Sequence, residues 1–196
     1  NSIEVINCPY AEDEIADYSA LNNTWDFTGI SIAATTTING AGGDDIITGS
    51  ADDNIIEGAV GNDTMDGAGG DDTFVFNGGS TGTLDNIQGG TGTDTILCTN
   101  TGGNSDVPMP QTFSLAGNSI EAIDCQYAGD ELQDETAGLA NTWDFTGITM
   151  TGDFLIDGQN EDDIITGSAD NNIIEGADGN DTMDGAGGDD TFVFNG

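Results

Sequence analysis

A nine-residue repeat constrains this chain more than any other feature of its sequence. From Gly40 the chain divides into the blocks GAGGDDIIT, GSADDNIIE, GAVGNDTMD and GAGGDDTFV, and four further blocks begin at Gly158. Each block opens with glycine, carries Asp or Asn at its sixth place and has an apolar residue at its eighth. A repeat of this length indicates stacked units, because nine residues cannot bury an apolar side chain without a neighbouring unit.

A second, much longer repeat contains the first. The segment NSIEVINC at residue 1 returns as NSIEAIDC at residue 118, and NTWDFTGI at residue 23 returns at residue 141. We therefore predict a first tandem unit over residues 1–117, with nonapeptides at 40–75 and 89–97. A second, truncated unit covers residues 118–196, with nonapeptides at 158–193. We expect one continuous solenoid that is a segment of a longer array, with any secretion or catalytic domain outside it.

The charge of the chain points to a cation. The chain has 37 Asp and Glu residues but no Lys, Arg or His, which gives a formal net charge of −37. Such a charge opposes compaction, yet eight Phe, two Trp and only three Pro argue against a disordered linker. We expect a metal ion to supply the missing positive charge, and carboxylate oxygens suit calcium.

The same composition excludes several functions. Without basic residues the chain has no electrostatic footprint for nucleic acid. It also has no apolar run near the length of about 18 residues that a membrane span requires, so we predict no membrane insertion. We do not expect an enzyme, because the carboxylates recur with the nonapeptide period and no His, Lys or Arg is present to assist them.

The blocks resemble the nonapeptide G-G-x-G-x-D-x-U-x of the RTX (hemolysin-type) calcium-binding proteins, such as the long tandem-repeat RTX adhesins and surface fibres. A ninth block, GGTGTDTIL at Gly89, also fits. The resemblance implies an all-β fold, a parallel β-roll or β-solenoid with calcium-binding turns and some longer protruding loops. Two nonapeptides then form one turn, turns stack about 4.8 Å apart, and the eighth-place side chains point inward.

The resemblance also implies ligands for several calcium ions. One turn supplies the carbonyls of places two and four and its sixth-place carboxylate, and the next turn on that edge supplies the carbonyls of places one and three and its own carboxylate. In the first unit these ligands are Ala41, Gly43, Asp45, Gly58, Val60 and Asp63 on one edge, and Ser50, Asp52, Asn54, Gly67, Gly69 and Asp72 on the other. In the second unit they are Gln159, Glu161, Asp163, Gly176, Asp178 and Asp181, and Ser168, Asp170, Asn172, Gly185, Gly187 and Asp190.

Several positions depart from this pattern. Asn54 and Asn172 replace the sixth-place Asp, while Asp52 and Asp170 replace the fourth-place Gly, which either strains the turn or supplies a substitute carboxylate. Because Gly67 and Gly89 are 22 residues apart, we expect a wider turn in which Asp94 stacks on Asp72. That adds a site from Ala68, Gly70, Asp72, Gly89, Thr91 and Asp94. One more site per unit would use Asp26 and Asp144, which precede Asp45 and Asp163 by 19 residues.

The segments between the blocks are less regular. β-branched residues and alternation predict strands in TGISIAATTTIN (28–39), TILC (95–98), TFSLAG (112–117) and SIEAIDC (119–125). The acidic stretches 9–23 and 126–141 are predicted to be loops that protrude from the roll. Trp25 and Trp143 either cover a loop end against the roll or form a lateral contact or sugar-stacking platform.

The cysteines offer a test of the rung register. Cys98 and Cys125 each follow an Ile by two residues in strand-like segments. If these segments lie on neighbouring rungs, the two Cα atoms are about 4.8 Å apart, which a disulfide accepts. We therefore predict a Cys98–Cys125 disulfide, against the alternative of free buried thiols, and expect Cys8 to pair with a preceding unit.

The sequence as a whole predicts a calcium-stabilised structural repeat protein that is extracellular or on the cell surface, as a fibre, stalk or coat. Its expected partners are further copies of the same repeat, end to end and side by side. An RTX adhesin and a calcium-binding accessory module of a larger secreted enzyme are the alternatives. Ice or mineral binding is less favoured, because the outward Thr residues are few and irregular.

Overall fold

A computed structural model describes residues 5–6, 13–76, 85–99, 106–109, 112–125, 130–133 and 138–194. The described chain is built from short strands, and every strand pairing in it is parallel. The predicted all-β parallel solenoid is confirmed. In the first unit the strands are β1 (Val5–Ile6), β2 (Glu14–Ala16), β3 (Thr24–Asp26), β4 (Ser31–Ile32), β5 (Thr37–Asn39), β6 (Ile46–Thr48), β7 (Ile55–Glu57), β8 (Thr64–Asp66), β9 (Thr73–Phe76), β10 (Asn86–Gln88), β11 (Thr95–Cys98), β12 (Asp106–Pro108) and β13 (Thr112–Ser114).

The second unit repeats this order after a single helical turn, α1 (Leu115–Asn118). Its strands are β14 (Ala122–Cys125), β15 (Glu131–Gln133), β16 (Thr142–Asp144), β17 (Thr149–Thr151), β18 (Leu155–Asp157), β19 (Ile164–Thr166), β20 (Ile173–Glu175), β21 (Thr182–Asp184) and β22 (Thr191–Val193). No helix in the described segments is both long and apolar enough to cross a membrane.

The solenoid contains rungs of two kinds. At the start of the first unit, β1, β2 and β3 lie in three different sheets, and β4, β5 and β6 stack on them in the same order. From β7 to β10 the chain alternates between only two sheets, so each pair of nonapeptides makes a two-sided rung. β14 to β19 repeat the three-sided start. The regular nonapeptides therefore define the two-sided part, and the irregular segments supply a third face.

One long sheet, which we call the central sheet, crosses the boundary between the tandem units. Its order is β17-β14-β11-β9-β7-β5-β2. β11 of the first unit pairs with β14 of the second, and Thr95 lies opposite Ala122. β14 corresponds in the long repeat to β1, whereas the central sheet of the first unit begins with β2. The second unit is therefore turned by one face about the solenoid axis relative to the first.

The eighth-place side chains form the core, as the pattern predicts. Ile47, Ile56, Met65 and Phe74 are each at most 1% exposed. Strand register stacks them directly, since Ile47 lies opposite Met65 and Ile56 lies opposite Phe74. Full burial of one such side chain contributes about 1.5–3 kcal/mol. Near the end of the chain Phe192 is 37% exposed.

The acidic stretches are not loops throughout. β2 lies within residues 9–23 and β15 within 126–141, and Leu132 of β15 is fully buried. A three-residue strand carries only one inward side chain, so its alternation is too short to detect in an acidic segment. The predicted strand at 112–117 ends at Ser114, whose Oγ accepts a hydrogen bond from the Gly117 amide at 3.1 Å within α1. Trp143 is fully buried, which confirms the packing interpretation for that residue.

Candidate calcium sites

In several blocks the first-place glycine is required by a close approach of two oxygens. A Cβ atom on Gly40 would lie 2.8 Å from the Gly58 carbonyl oxygen and would collide with the carboxylate of Asp45. The left-handed conformation falls instead at the second place, where Ala41 has a φ of 70°, and at the fourth, where Gly43 has a φ of 108°. A positive φ therefore explains the glycine at the fourth place, and the close approach of oxygens explains the glycine at the first.

The sixth-place residues of successive rungs form hydrogen-bonded rows, which we call carboxylate ladders. In each step, a carboxylate oxygen of one residue, Oδ1 of Asp or Oε2 of Glu121, accepts a hydrogen bond from the backbone amide of its counterpart on the preceding rung. The Asp45 amide donates to Asp63 at 2.8 Å, and the Asp72 amide donates to Asp94 at 2.8 Å. The ladders comprise Asn23, Asp45, Asp63 and Asp85; Asn54, Asp72, Asp94 and Glu121; Asn141, Asp163 and Asp181; and Asn172 and Asp190.

The second carboxylate oxygen of four ladder residues has no hydrogen-bond partner. Asp45, Asp63, Asp72 and Asp94 are each at most 1% exposed, and the Oδ2 atom of each is buried without a donor. Burial raises the pKa of Asp63 to about 6 and that of Asp72 to about 7. Burial also raises the pKa values of Asp45 and Asp94. A buried carboxylate without a counter-charge is strongly destabilising, so these turns need a proton or a cation.

Asn141 shows what fits beside these oxygens. Its side-chain amide donates to the carbonyl oxygen of Gly158, the first-place residue of the next rung, at 3.0 Å. Where the ladder residue is Asp, its carboxylate and the carbonyl of the first-place residue on the next rung are both acceptors. Asp72 and the Gly89 carbonyl, which meet beside Gly67, are one such pair. Two hard oxygens without a donor between them suit a calcium ion. The residues present therefore fit the metal that the sequence predicts, and these turns would hold it.

The structure brings together most of the predicted carboxylates. Asp45 stacks with Asp63, Asp163 stacks with Asp181, and Asp94 stacks on Asp72 across the wider turn. Several predicted carbonyls also take part in backbone pairing between rungs: Ala41 accepts from Val60 at 3.2 Å, Val60 from Gly43 at 2.9 Å, Ala68 from Thr91 at 3.1 Å and Gln159 from Asp178 at 3.1 Å. Each carbonyl oxygen has a second lone pair, so this pairing leaves an acceptor site on it.

The two Asn-containing turns differ from the others because their own hydrogen bonds satisfy them. The Ser50 amide donates to Asn54 Oδ1 at 2.6 Å, and the Asn54 side-chain amide donates to Ser50 Oγ at 3.1 Å. Ser168 and Asn172 repeat both contacts. The Asp52 Oδ2 atom accepts a hydrogen bond from the Ile32 amide at 3.0 Å, and a role for Asp52 as a substitute carboxylate stays a prediction.

Asp26 and Asp144 do not join the ladders. Asp26 lies at the end of β3 opposite Thr48, and its Oδ1 accepts a hydrogen bond from the Thr28 amide at 2.9 Å. Asp144 makes the same turn with Thr146 at 3.0 Å. The rows that contain Asp45 and Asp163 begin instead with Asn23 and Asn141. The spacing of 19 residues along the chain therefore does not place Asp26 and Asp144 in these rows, and a metal site at either residue stays a prediction.

Sequence reasoning missed two ladder carboxylates. Asp85 receives the Asp63 amide at 2.8 Å, and Glu121 receives the Asp94 amide at 2.7 Å. Asp85 had a usable signal in the sequence. It precedes the buried Ile87 by two residues, which is the spacing between the sixth and eighth places of a nonapeptide. Glu121 had a weaker one, since it precedes inward Ile123 by the same spacing.

The two cysteines that the sequence predicts to form a disulfide meet at the unit boundary. Cys98 lies opposite Cys125 in the β11–β14 pairing, their Cα atoms are 4.6 Å apart and their Sγ atoms are bonded. Both residues are at most 2% exposed. The disulfide therefore joins β11, which extends one residue beyond the last nonapeptide of the first unit, to β14, the first strand of the second. Cys8 lies outside the described residues.

A parallel β-solenoid whose turns stack buried carboxylates fits a calcium-binding repeat protein. Comparison with protein families agrees: residues 37–80 and 157–192 match the model of the RTX calcium-binding nonapeptide repeat, in four copies. The resemblance to RTX proteins is thus confirmed, and these segments are RTX calcium-binding repeats. No curated protein and no solved structure matches the chain.

Proposed function

We propose that this chain is part of an extracellular, calcium-stabilised structural array, in which tandem units extend a stiff rod as a fibre, stalk or surface coat. The observation that carries the proposal is the central sheet, which continues from β11 to β14 without a change of register at the unit boundary. A chain of independently folded domains would interrupt its backbone pairing at each boundary. Here the boundary adds one more rung and a disulfide.

The geometry gives the proposed array a definite axial repeat. Five strands of the central sheet, β2, β5, β7, β9 and β11, precede β14. At about 4.8 Å per rung, one unit advances the rod by about 24 Å. Since each unit is turned by one face of a three-sided rung, the surface pattern returns after three units. Length then scales with repeat number, which is a property useful in a stalk or fibre and of no value to a catalytic site.

Calcium sets the stiffness of the proposed rod. At a formal charge of −37, neighbouring rungs repel each other, and the buried ladder carboxylates add a local penalty. Extracellular calcium modules commonly bind with dissociation constants of about 0.1–1 mM, so such sites would be filled outside a cell. The array would then be ordered only after export.

Electron microscopy of arrays with two, four and six units tests the proposal. In 5 mM calcium we expect rods whose length increases by about 24 Å per unit, and in EDTA we expect expanded chains of no fixed length. Units joined as separate beads with variable angles would refute the rod. Rods of the same length with and without calcium would refute the role assigned to the metal.

A further inference from the structure

The boundary between the tandem units contains a carboxylate pair that lies outside the segments matched to the RTX repeat. Asp94 ends the nonapeptide ladder of the first unit, and Glu121 belongs to the second unit. The Asp94 amide donates to Glu121 Oε2 at 2.7 Å, just as the Asp72 amide donates to Asp94 Oδ1 at 2.8 Å. Glu121 therefore occupies the next step of the same ladder.

The local chain length explains why this step uses Glu. In the first unit, five residues lead from Gly89 to Asp94, whereas only two lead from Ser119 to Glu121. The strand register nevertheless continues, because Thr95 lies opposite Ala122. The turn is thus shorter at Glu121, and the additional methylene of Glu reaches the position that Asp occupies on the other rungs.

The oxygens of this step converge as they do in the nonapeptide sites. Asp94 is fully buried, and its Oδ2 has no hydrogen-bond partner. A Cβ atom placed on Gly89 would collide with both the Asp94 carboxylate and the Ser119 carbonyl oxygen, which takes the place of the first-place carbonyl. The Asp94 carboxylate and the Ser119 carbonyl therefore converge at Gly89, Asp94 Oδ2 has no donor there, and the Glu121 carboxylate lies against the Asp94 amide.

We propose that Asp94, Glu121 and the Ser119 carbonyl form a calcium site at the unit boundary, which binds the first unit to the second. This inference rests on the proposed function for its purpose but not for its chemistry. The next residue in this row is Ile148, which is 2% exposed, so the ladder ends at Glu121. Four residues further along the same strands lies the Cys98–Cys125 disulfide. The boundary is thus held at both ends of one strand pair.

Native mass spectrometry of the 196-residue chain in excess calcium tests the site by counting bound ions. Glu121→Gln keeps an oxygen that can accept from the Asp94 amide but removes the charge, so it separates the ladder hydrogen bond from metal binding. Glu14→Gln is the matched control, because Glu14 is exposed on β2 and outside the ladders. We expect Glu121→Gln to bind one calcium ion fewer than the wild type, and Glu14→Gln to bind the same number.

The remaining outcomes decide the proposal. Asp94→Asn should lose more than Glu121→Gln, because Asp94 also faces Asp72. Circular dichroism should show that both variants keep the β spectrum of the wild type in calcium. An unchanged ion count and unchanged calcium affinity for Glu121→Gln would overturn the boundary site. That result would leave rod formation by the array intact, whereas beads or calcium-independent rods would remove the proposed function without affecting the ion count.

Discussion

Removing calcium should reverse the pH dependence of stability. Burial raises the pKa of Asp63 to about 6 and that of Asp72 to about 7 from an ordinary value of 3.8. At pH values between the ordinary pKa and these raised values, the folded calcium-free chain holds protons that the unfolded chain has released. Stability is therefore greatest near pH 4 and decreases as the pH rises through 6 and 7.

The structure gives the size of this effect. At about 1.4 kcal/mol for each tenfold change in proton affinity, the pKa of Asp63 corresponds to about 3 kcal/mol and that of Asp72 to about 4 kcal/mol. The two residues lie on opposite edges of the roll, so their contributions are treated as additive. Their sum is comparable to the whole stability of a typical domain, about 5–15 kcal/mol. The calcium-free chain should thus be folded near pH 4 and largely unfolded at pH 8.

Urea unfolding followed by far-UV circular dichroism measures the effect, at pH 4 to 8, in calcium-free buffer and in 5 mM calcium. With calcium the sign should be opposite, because protons compete with the metal for the same oxygens. Asp72→Asn should reduce the calcium-free slope, since its amide can donate to the Gly89 carbonyl as Asn141 donates to Gly158. Asp71→Asn is the control, because Asp71 is exposed and its hydrogen bond with the Thr93 amide is retained.

The control also separates buried from surface charge. Repulsion among surface carboxylates also lowers the calcium-free stability as the pH rises. Salt at 0.5 M screens that repulsion, and Asp71→Asn should reduce its contribution as much as Asp72→Asn does. Our reasoning would be refuted if Asp72→Asn and Asp71→Asn had equal slopes, or if calcium-free stability increased from pH 4 to pH 8.

Three further predictions follow from the turns and the boundary. Gly40→Ala should weaken calcium binding and destabilise the fold, because its Cβ would lie 2.8 Å from the Gly58 carbonyl, whereas a Cβ on Gly42 meets nothing nearer than 3.7 Å. Calorimetric calcium titration should therefore distinguish Gly40→Ala from Gly42→Ala, and equal curves would contradict this account. Cys98→Ser should lower the free energy of unfolding in calcium by about 3–4 kcal/mol, since it opens a 27-residue loop; urea unfolding with and without reductant checks this, and reductant should have no effect on the variant. Calcium should induce the β spectrum at far lower concentration than magnesium, because turn carbonyls suit a flexible coordination shell; equal midpoints would contradict it.

The regular part of the fold could be predicted because its physical cause is local and repeated. The inward eighth place recurs with the same register, so Ile47, Ile56, Met65 and Phe74 identify the core without any knowledge of the irregular segments. Asp94 could be placed on Asp72 across 22 residues for the same reason. What decides these contacts is the strand register, which the block spacing specifies directly.

The irregular part could not be predicted, because the signals there are shorter than the structures they specify. β2 and β15 each contribute one inward side chain within an acidic stretch, and nothing in that stretch shows that the rung has three faces. Glu121 was missed because its turn is three residues shorter than a nonapeptide turn, which removes the glycine pattern while keeping the register. Asp26 precedes Asp45 by about the length of a rung, but the strand register places Asp26 opposite Thr48, so spacing along the chain alone does not assign it to a row.

The two Asn-containing turns clarify why the other turns carry Asp. Asn54 and Asn172 occupy the same place as Asp72 and Asp190, but their side chains close the turn through Ser50 and Ser168 and leave no buried carboxylate. The chain can therefore build this turn without a charge, and a sixth-place Asp is not needed for the backbone path. The blocks that keep Asp45, Asp63 and Asp72 instead carry a buried carboxylate, which is destabilising until a proton or a cation neutralises it. Asn54 lies beneath Asp72 and Asn172 beneath Asp190, so each of these rows starts on a neutral turn that its own hydrogen bonds satisfy.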